Sequence, residues 1–167
     1  MSGVVCLTEN PLDRLMWAHY GESHKGFAAE FQHNDEGTSE FGFRQCTTPF
    51  GLALKVKYAP EHPELKWDTS NMAEVLLTKH LDWEYEQEWR VIQLLHTGAP
   101  HPTKNGFVLV RFKPIHLLRV IFGLQVSSAV KFQVGQMLNR KEFDHVRKEE
   151  VHIDSDSREL RSRTLSR

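Results

Sequence analysis

The run Trp83-Glu84-Tyr85-Glu86-Gln87-Glu88-Trp89-Arg90 constrains this chain more than any other segment. Carboxylates at Glu84, Glu86 and Glu88 alternate with the rings of Tyr85 and Trp89, and Arg90 follows in the same register. A β-strand sends successive side chains to opposite faces. In such a strand Tyr85, Gln87, Trp89 and Val91 share one face, and Glu84, Glu86, Glu88 and Arg90 share the other. Three like charges on one face cost free energy unless a cation, a ligand or a polar cleft answers them. The segment marks where a site is to be sought without naming a reaction.

At 167 residues the chain is long enough for one domain with a real core. Its 40% hydrophobic and 26% charged content is that of an ordinary globular protein. A formal net charge of -1 supplies no basic field, which argues against a nucleic-acid partner. Two cysteines, Cys6 and Cys46, make neither a disulfide framework nor a zinc-ribbon spacing, so buried free thiols are expected. No apolar run approaches the roughly 18–20 residues of a membrane span. No basic stretch precedes an apolar one at the N-terminus, as a secretory signal requires, so a reducing cytoplasm is the expected location. Met1-Ser2-Gly3 leads almost directly into Val4-Val5-Cys6-Leu7, as in a genuine terminal strand or in a chain whose first segment is missing.

Val4 to Thr8 reads as a short, fully buried strand. Asn10-Pro11 opens a helix with Leu12, Leu15, Met16, His19 and Tyr20 on one stripe, and Gly21 stops it. A second strand, from Lys25 to Phe31, places Phe27, Ala29 and Phe31 on its core face. The polar stretch from His33 to Thr48 is a long connection that Phe41 and Phe43 tack down. Leu52, Leu54, Val56 and Tyr58 alternate with Lys55 and Lys57 as a half-buried strand does. Asn71 caps a helix from Met72 to Leu81, with Glu74 as its reciprocal partner.

The acidic-aromatic strand then runs on through Leu95, and Phe107 to Phe112 is its expected hairpin partner across the Pro- and Gly-containing turn. Leu118 to Phe122 is a strand stopped by Gly123, and Ser127 or Ser128 caps a helix through Val130, Val134, Met137 and Leu138. Val146 to Ile153 reads as an edge strand. The expectation is therefore a single α+β domain over residues 1–153, with a mixed or largely antiparallel sheet of six or seven strands and three helices. Residues 154–167 are Ser-, Asp- and Arg-rich, and a frayed tail is expected there.

One series of residues is familiar. It comprises Leu15-Met16-Trp17-Ala18-His19-Tyr20, His24-Lys25-Gly26-Phe27, Glu30-Phe31, Val56-Lys57-Tyr58, Thr78-Lys79, Asp82 to Arg90, and Val120-Ile121-Phe122-Gly123. In this order and spacing it resembles the bacterial family catalogued as domain of unknown function 2971, over nearly the whole chain. The resemblance brings no established activity. It implies an N-terminal portion with an Asn-Asp-Pro-Phe-Glu-like element, which precedes the first strand in the family and is not found here.

Glu-x-Glu on a strand is also the arrangement of ADP-ribosyltransferases, whose second Glu grips the nicotinamide ribose and stabilises oxocarbenium character. By that analogy Glu88 is the catalytic carboxylate, Glu86 its helper, and NAD the cofactor or nucleotide ligand. His19 and Tyr20 then hold a ring, His24 presents a donor, and Lys79 and Arg90 orient phosphates. The competing expectation is a non-catalytic ligand-binding, regulatory or interaction module, in which the glutamates pair with Lys79 and Arg90 across a sheet face. No metal site is expected, because no histidine pair falls at i, i+4 with an acidic partner. A nuclease-like Glu-x-Lys has Arg90 in the lysine place, and Arg cannot act as a base. Cys6 lies among apolar neighbours that raise a thiol pKa. Oligomeric state and substrate are open at this level.

Overall fold

A computed structural model of the chain describes residues 2–32, 53–94, 103–104, 107–108 and 112–165. In chain order the elements are β1 (Ser2–Thr8), α1 (Arg14–His19), β2 (Phe27–Phe31), β3 (Leu54–Lys55), β4 (Lys57–Ala59), α2 (Met72–Leu76) and β5 (Thr78–His80). After a 3-10 turn over Leu81–Glu86 come β6 (Glu88–Leu94), β7 (Thr103–Lys104), β8 (Phe107–Val108), β9 (Leu117–Phe122), α3 (Ser128–Leu138), β10 (Arg147–Ile153) and β11 (Leu160–Thr164). The fold is α+β. Among the described residues six strands reach five residues or more (β1, β2, β6, β9, β10 and β11), with three α-helices. No described helix is long and apolar enough to cross a membrane.

Where the sequence alone offers one domain, the contacts fall into two compact units. Met1–Asn10 groups with Asp35–Arg111, and Pro11–Asn34 with Phe112–Arg167.

The second of these units is built on a four-stranded sheet in the order β11-β10-β9-β2. β9 and β10 run parallel with α3 in their connection, as a parallel pair requires, and the outer strands are antiparallel to their neighbours. Ser127 caps α3, its hydroxyl accepting from the Val130 N–H at 3.3 Å. Val134 and Leu138 of α3 are buried with Leu117, Val120, Phe122 and Val146. Successive residues of a strand face opposite ways, so Ile121 points to the other side. There it packs with Val151, Leu160 and Trp17. Trp17 is only 4% exposed, and its indole N–H donates to the Pro11 carbonyl at 2.8 Å, so burial leaves no donor unsatisfied.

Several expectations are corrected here. α1 is capped by Asp13, whose carboxylate accepts from the Met16 N–H at 2.9 Å, and not by Asn10. Its buried residue is Trp17, while Leu15, His19 and Tyr20 of the expected stripe are exposed. Of the expected core face of β2 only Phe31 packs against a buried cluster, while Ala28 packs against the other one; Phe27 and Ala29 are exposed because β2 is an outer strand. β10 is no edge strand, since β9 and β11 flank it. A strand stands within the segment expected to fray. Leu160–Thr164 pairs with β10, and Leu160 is buried.

The first unit holds an antiparallel sheet in the order β1-β6-β3, a parallel β4-β5 ladder and the short β7-β8 hairpin. β1 is an outer strand, so Val4 and Cys6 are exposed where a fully buried strand was expected. The alternation expected through Tyr58 breaks at Val56 because the chain changes partner there. Lys55 pairs with Trp89 of β6, whereas Lys57 pairs with Thr78 of β5. Leu54 is consequently exposed, and Ala53 and Val56 are buried.

α2 is five residues long and does not continue to Leu81, because Thr78–His80 is taken into the ladder with β4. Asn71 makes no side-chain cap. Its side chain instead accepts from the Lys66 N–H at 3.0 Å and donates to the Glu64 carbonyl at 2.9 Å. Among the described residues of the expected hairpin partner, Phe107–Val108 pairs with β7. The expected connection from His33 to Thr48, its Phe41 and Phe43, and also Cys46, Leu52, Leu95 and Leu109–Arg111 lie outside the described residues.

Candidate functional site

The acidic-aromatic segment is not one continuous strand. Leu81–Glu86 winds as a 3-10 turn that the ring nitrogen of His80 caps, Nδ1 accepting from the Asp82 N–H at 3.3 Å. Gln87 then takes a left-handed conformation (φ 44°, ψ 51°), its N–H donating to the Glu84 carbonyl at 3.1 Å. Only at Glu88 does the strand begin. The expected common face of four charged residues is therefore lost, and Glu84 is left exposed. Glu86 and Glu88 nevertheless converge, because the left-handed residue between them redirects the chain while β5 delivers Lys79 to both.

Lys79 Nζ donates to Glu86 Oε2, and to Glu88 Oε2 at 2.9 Å. Arg90, two residues along β6, grips Glu88 with Nε at 2.8 Å and with a terminal nitrogen at 3.1 Å, and its other terminal nitrogen donates to the Leu76 carbonyl at 2.5 Å. The backbone N–H of Glu88 donates to the Tyr58 hydroxyl at 2.8 Å. Cys6, opposite Arg90 in the β1–β6 register, adds a thiol hydrogen bond to the same carboxylate. Glu86 and Glu88 are 2% and 3% exposed. Two carboxylates thus face two cations, and the cluster is neutral as a whole.

The electrostatics follow from this. Burial pushes the Glu88 carboxyl up, but hydrogen bonds from Arg90, Cys6 and Lys79 outweigh it and hold the group at about 2. Burial works against the charge of Lys79, and its bonds to Glu86 and Glu88 win, leaving its pKa raised. The Arg90 guanidinium is stabilised in the same way, chiefly by Glu88. Partial burial, reinforced by the Glu88 carboxylate, pushes the Cys6 thiol up to about 11. At neutral pH each group is fixed in one protonation state. A carboxylate at about 2 is a poor proton acceptor, and a thiol at about 11 is a poor nucleophile. What the arrangement does well is tie β1, β5, β6 and the end of α2 together.

The other expected site residues belong to the second unit. His19 and Tyr20, at the exposed end of α1, meet edge to face with ring centroids 6.3 Å apart. His24 stacks on the buried Trp17 at 6.2 Å and 12°, in a turn where Glu22, Ser23 and His24 all have positive φ (52°, 54° and 66°). Its Nδ1 is buried without a hydrogen-bond partner among the described residues. The structure brings Lys79, Glu86, Glu88 and Arg90 together as one cluster, and His19, Tyr20 and His24 form part of a separate unit.

Tyr58 and Cys6 were missed as members of the cluster. Both reach it through strand pairing distant in sequence, and no local spacing signals that. An open cleft of about 440 Å³ in the first unit is lined by Lys57, Glu61, His62, Glu64, Glu74 and Thr78 among others, and neither Glu86 nor Glu88 lines it.

The model of one family, described as Protein of unknown function (DUF2971), matches residues 16–91. The match covers 76 of the chain's 167 residues. The match takes in the Met16-Trp17-Ala18-His19-Tyr20 motif and the whole of Trp83 to Arg90, and it ends before the Val120–Gly123 element of the resemblance. Neither the curated proteins nor the solved structures gave a match.

Proposed function

We propose that this chain belongs to the DUF2971 family and is a non-catalytic interaction module of the cytoplasm. On this reading Glu86 and Glu88 are structural, and they are not the catalytic pair of an NAD-using, ADP-ribosyltransferase-like enzyme. The observation that carries it is the state of Glu88: 3% exposed, with both carboxylate oxygens on cationic donors. A carboxylate that stabilises an oxocarbenium centre must present an oxygen to the substrate, in a place that substrate can enter. The cations expected to hold phosphates, Lys79 and Arg90, are likewise engaged by glutamates from within.

The test pairs turnover with stability. Incubated with NAD, the wild-type chain is expected to release no nicotinamide, read by chromatography. Glu88→Gln is expected to lower the melting temperature, because it leaves Lys79 and Arg90 with a single carboxylate between them. Nicotinamide release that Glu88→Gln abolishes at an unchanged melting temperature would overturn the proposal.

A further inference from the structure

The 3-10 turn that buries Glu86 exposes most of its other side chains. Leu81, Asp82, Trp83 and Glu84 are all exposed, with Trp83 at 39%. The Trp83 and Tyr85 rings stand 6.1 Å apart at a 36° tilt. Lys79 Nζ lies 5.2 Å from the centroid of the Trp83 ring, so the indole already holds one cation from within the fold. The charge balance of this surface is negative. Lys79 and Arg90 are committed to Glu86 and Glu88. Asp82 Oδ2 lies 3.1 Å from a His80 Nδ1 that accepts from the Asp82 N–H and so brings it no proton. The Glu84 side chain has no ion pair or hydrogen bond among the described residues.

We infer that this surface docks a basic segment of a partner protein, an arginine of which stacks on the Trp83–Tyr85 pair while Glu84 and Asp82 supply its countercharge. The inference rests on the interaction-module reading and names its partner class. Two features of the surface favour a guanidinium. An indole face attracts a cation through its ring quadrupole. The planar, weakly hydrated guanidinium stacks on aromatic rings and pairs with a carboxylate at once, which a compact ammonium does less well. Leu81, also exposed, adds apolar area for the stem of such a side chain.

The experiment uses the full chain and two synthetic peptides, capped at both ends, with arginines alternating with glycines in one and lysines in the other. Binding is followed by calorimetry at physiological salt. The arginine peptide is expected to bind the wild type, and the lysine peptide about fivefold more weakly. Glu84→Gln, at an exposed position, is expected to weaken the arginine peptide about fivefold without moving the melting temperature. Trp83→Leu is expected to weaken it about tenfold.

Because Trp83 also covers Lys79, its variant can lose stability, and Glu84→Gln keeps the test decisive. No binding by the wild type, equal binding of the two peptides, or an unchanged affinity in Glu84→Gln would each overturn the inference. NAD turnover is measured on the same samples. Turnover overturns the non-catalytic reading, whereas absent turnover with absent peptide binding removes the partner class alone.

Discussion

Glu88 draws donors from β5, from β1 and from its own strand, and it is buried as fully as Glu86 beside it. Removing one partner from such a cluster is expensive, because the remaining charges stay buried and uncompensated. Glu88→Gln is therefore expected to cost about 3 kcal/mol or more in denaturant unfolding. Gly123 gives a second residue-scale test, at a position where backbone meets backbone. A Cβ there would lie 2.3 Å from the His24 carbonyl oxygen and 2.8 Å from its carbon, at the turn whose three non-glycine residues have positive φ. Gly123→Ala is expected to cost about 1–3 kcal/mol, since backbone cannot simply swing aside. Gly135 is the control. It sits in α3 with nothing within 4 Å of the added methyl, so Gly135→Ala is expected to stabilise by about 0.5–1 kcal/mol. Equal effects from the two alanines would show that the Gly123 contact is not tight.

Elements whose pattern is settled by their own residues were legible in the sequence. β9 with its Gly123 stop and α3 with its Ser127 cap appear where local apolar period and cap chemistry place them. Elements that depend on a distant partner were not. Alternation between Leu52 and Tyr58 reads as one strand, yet the chain leaves β6 for β5 at Val56, and no local spacing encodes that exchange. Gln87 carries no signature of the left-handed conformation that divides the acidic run, so the shared face of Glu84, Glu86, Glu88 and Arg90 was an error of period. The pairing of Glu86 and Glu88 with Lys79 and Arg90 was among the alternatives the residues allowed; Tyr58 and Cys6 were not foreseen.

The polar composition past Asp154 hid β11 for a similar reason. One buried Leu160 and the Ser162 hydroxyl bonded to Glu149 at 2.7 Å are enough to hold an outer strand. Leu160→Ala is expected to cost about 2–4 kcal/mol, and an unchanged melting curve would return this segment to a loose tail.

At the scale of the whole molecule, the buried and half-buried ion pairs make stability depend on acid. Glu88, Glu149 and Glu150 all have carboxyl pKa values below the ordinary 4.5. Burial opposes this at Glu88 and Glu149, where the hydrogen bonds of Arg90 and of Ser162 and Arg119 prevail; at Glu150 the bonds of Lys131 and Arg163 lead. A carboxylate whose folded pKa is depressed stabilises the fold above its unfolded value and loses that contribution as pH falls through the folded one. For Glu88 the window runs from 4.5 down to about 2, and its contribution is on the order of 3 kcal/mol. The protein is expected to hold its neutral-pH stability to about pH 4.5 and to unfold progressively below it.

The state of the Glu88 carboxyl itself can be read by following its carbon resonance by NMR as acid is added, with Glu88→Gln to assign the signal. A midpoint near 2, or a resonance that stays ionised until the fold is lost, is the expected result. A midpoint at or above 4.5 would mean that this carboxylate is not held by Lys79 and Arg90, and the structural role assigned to it would be contradicted.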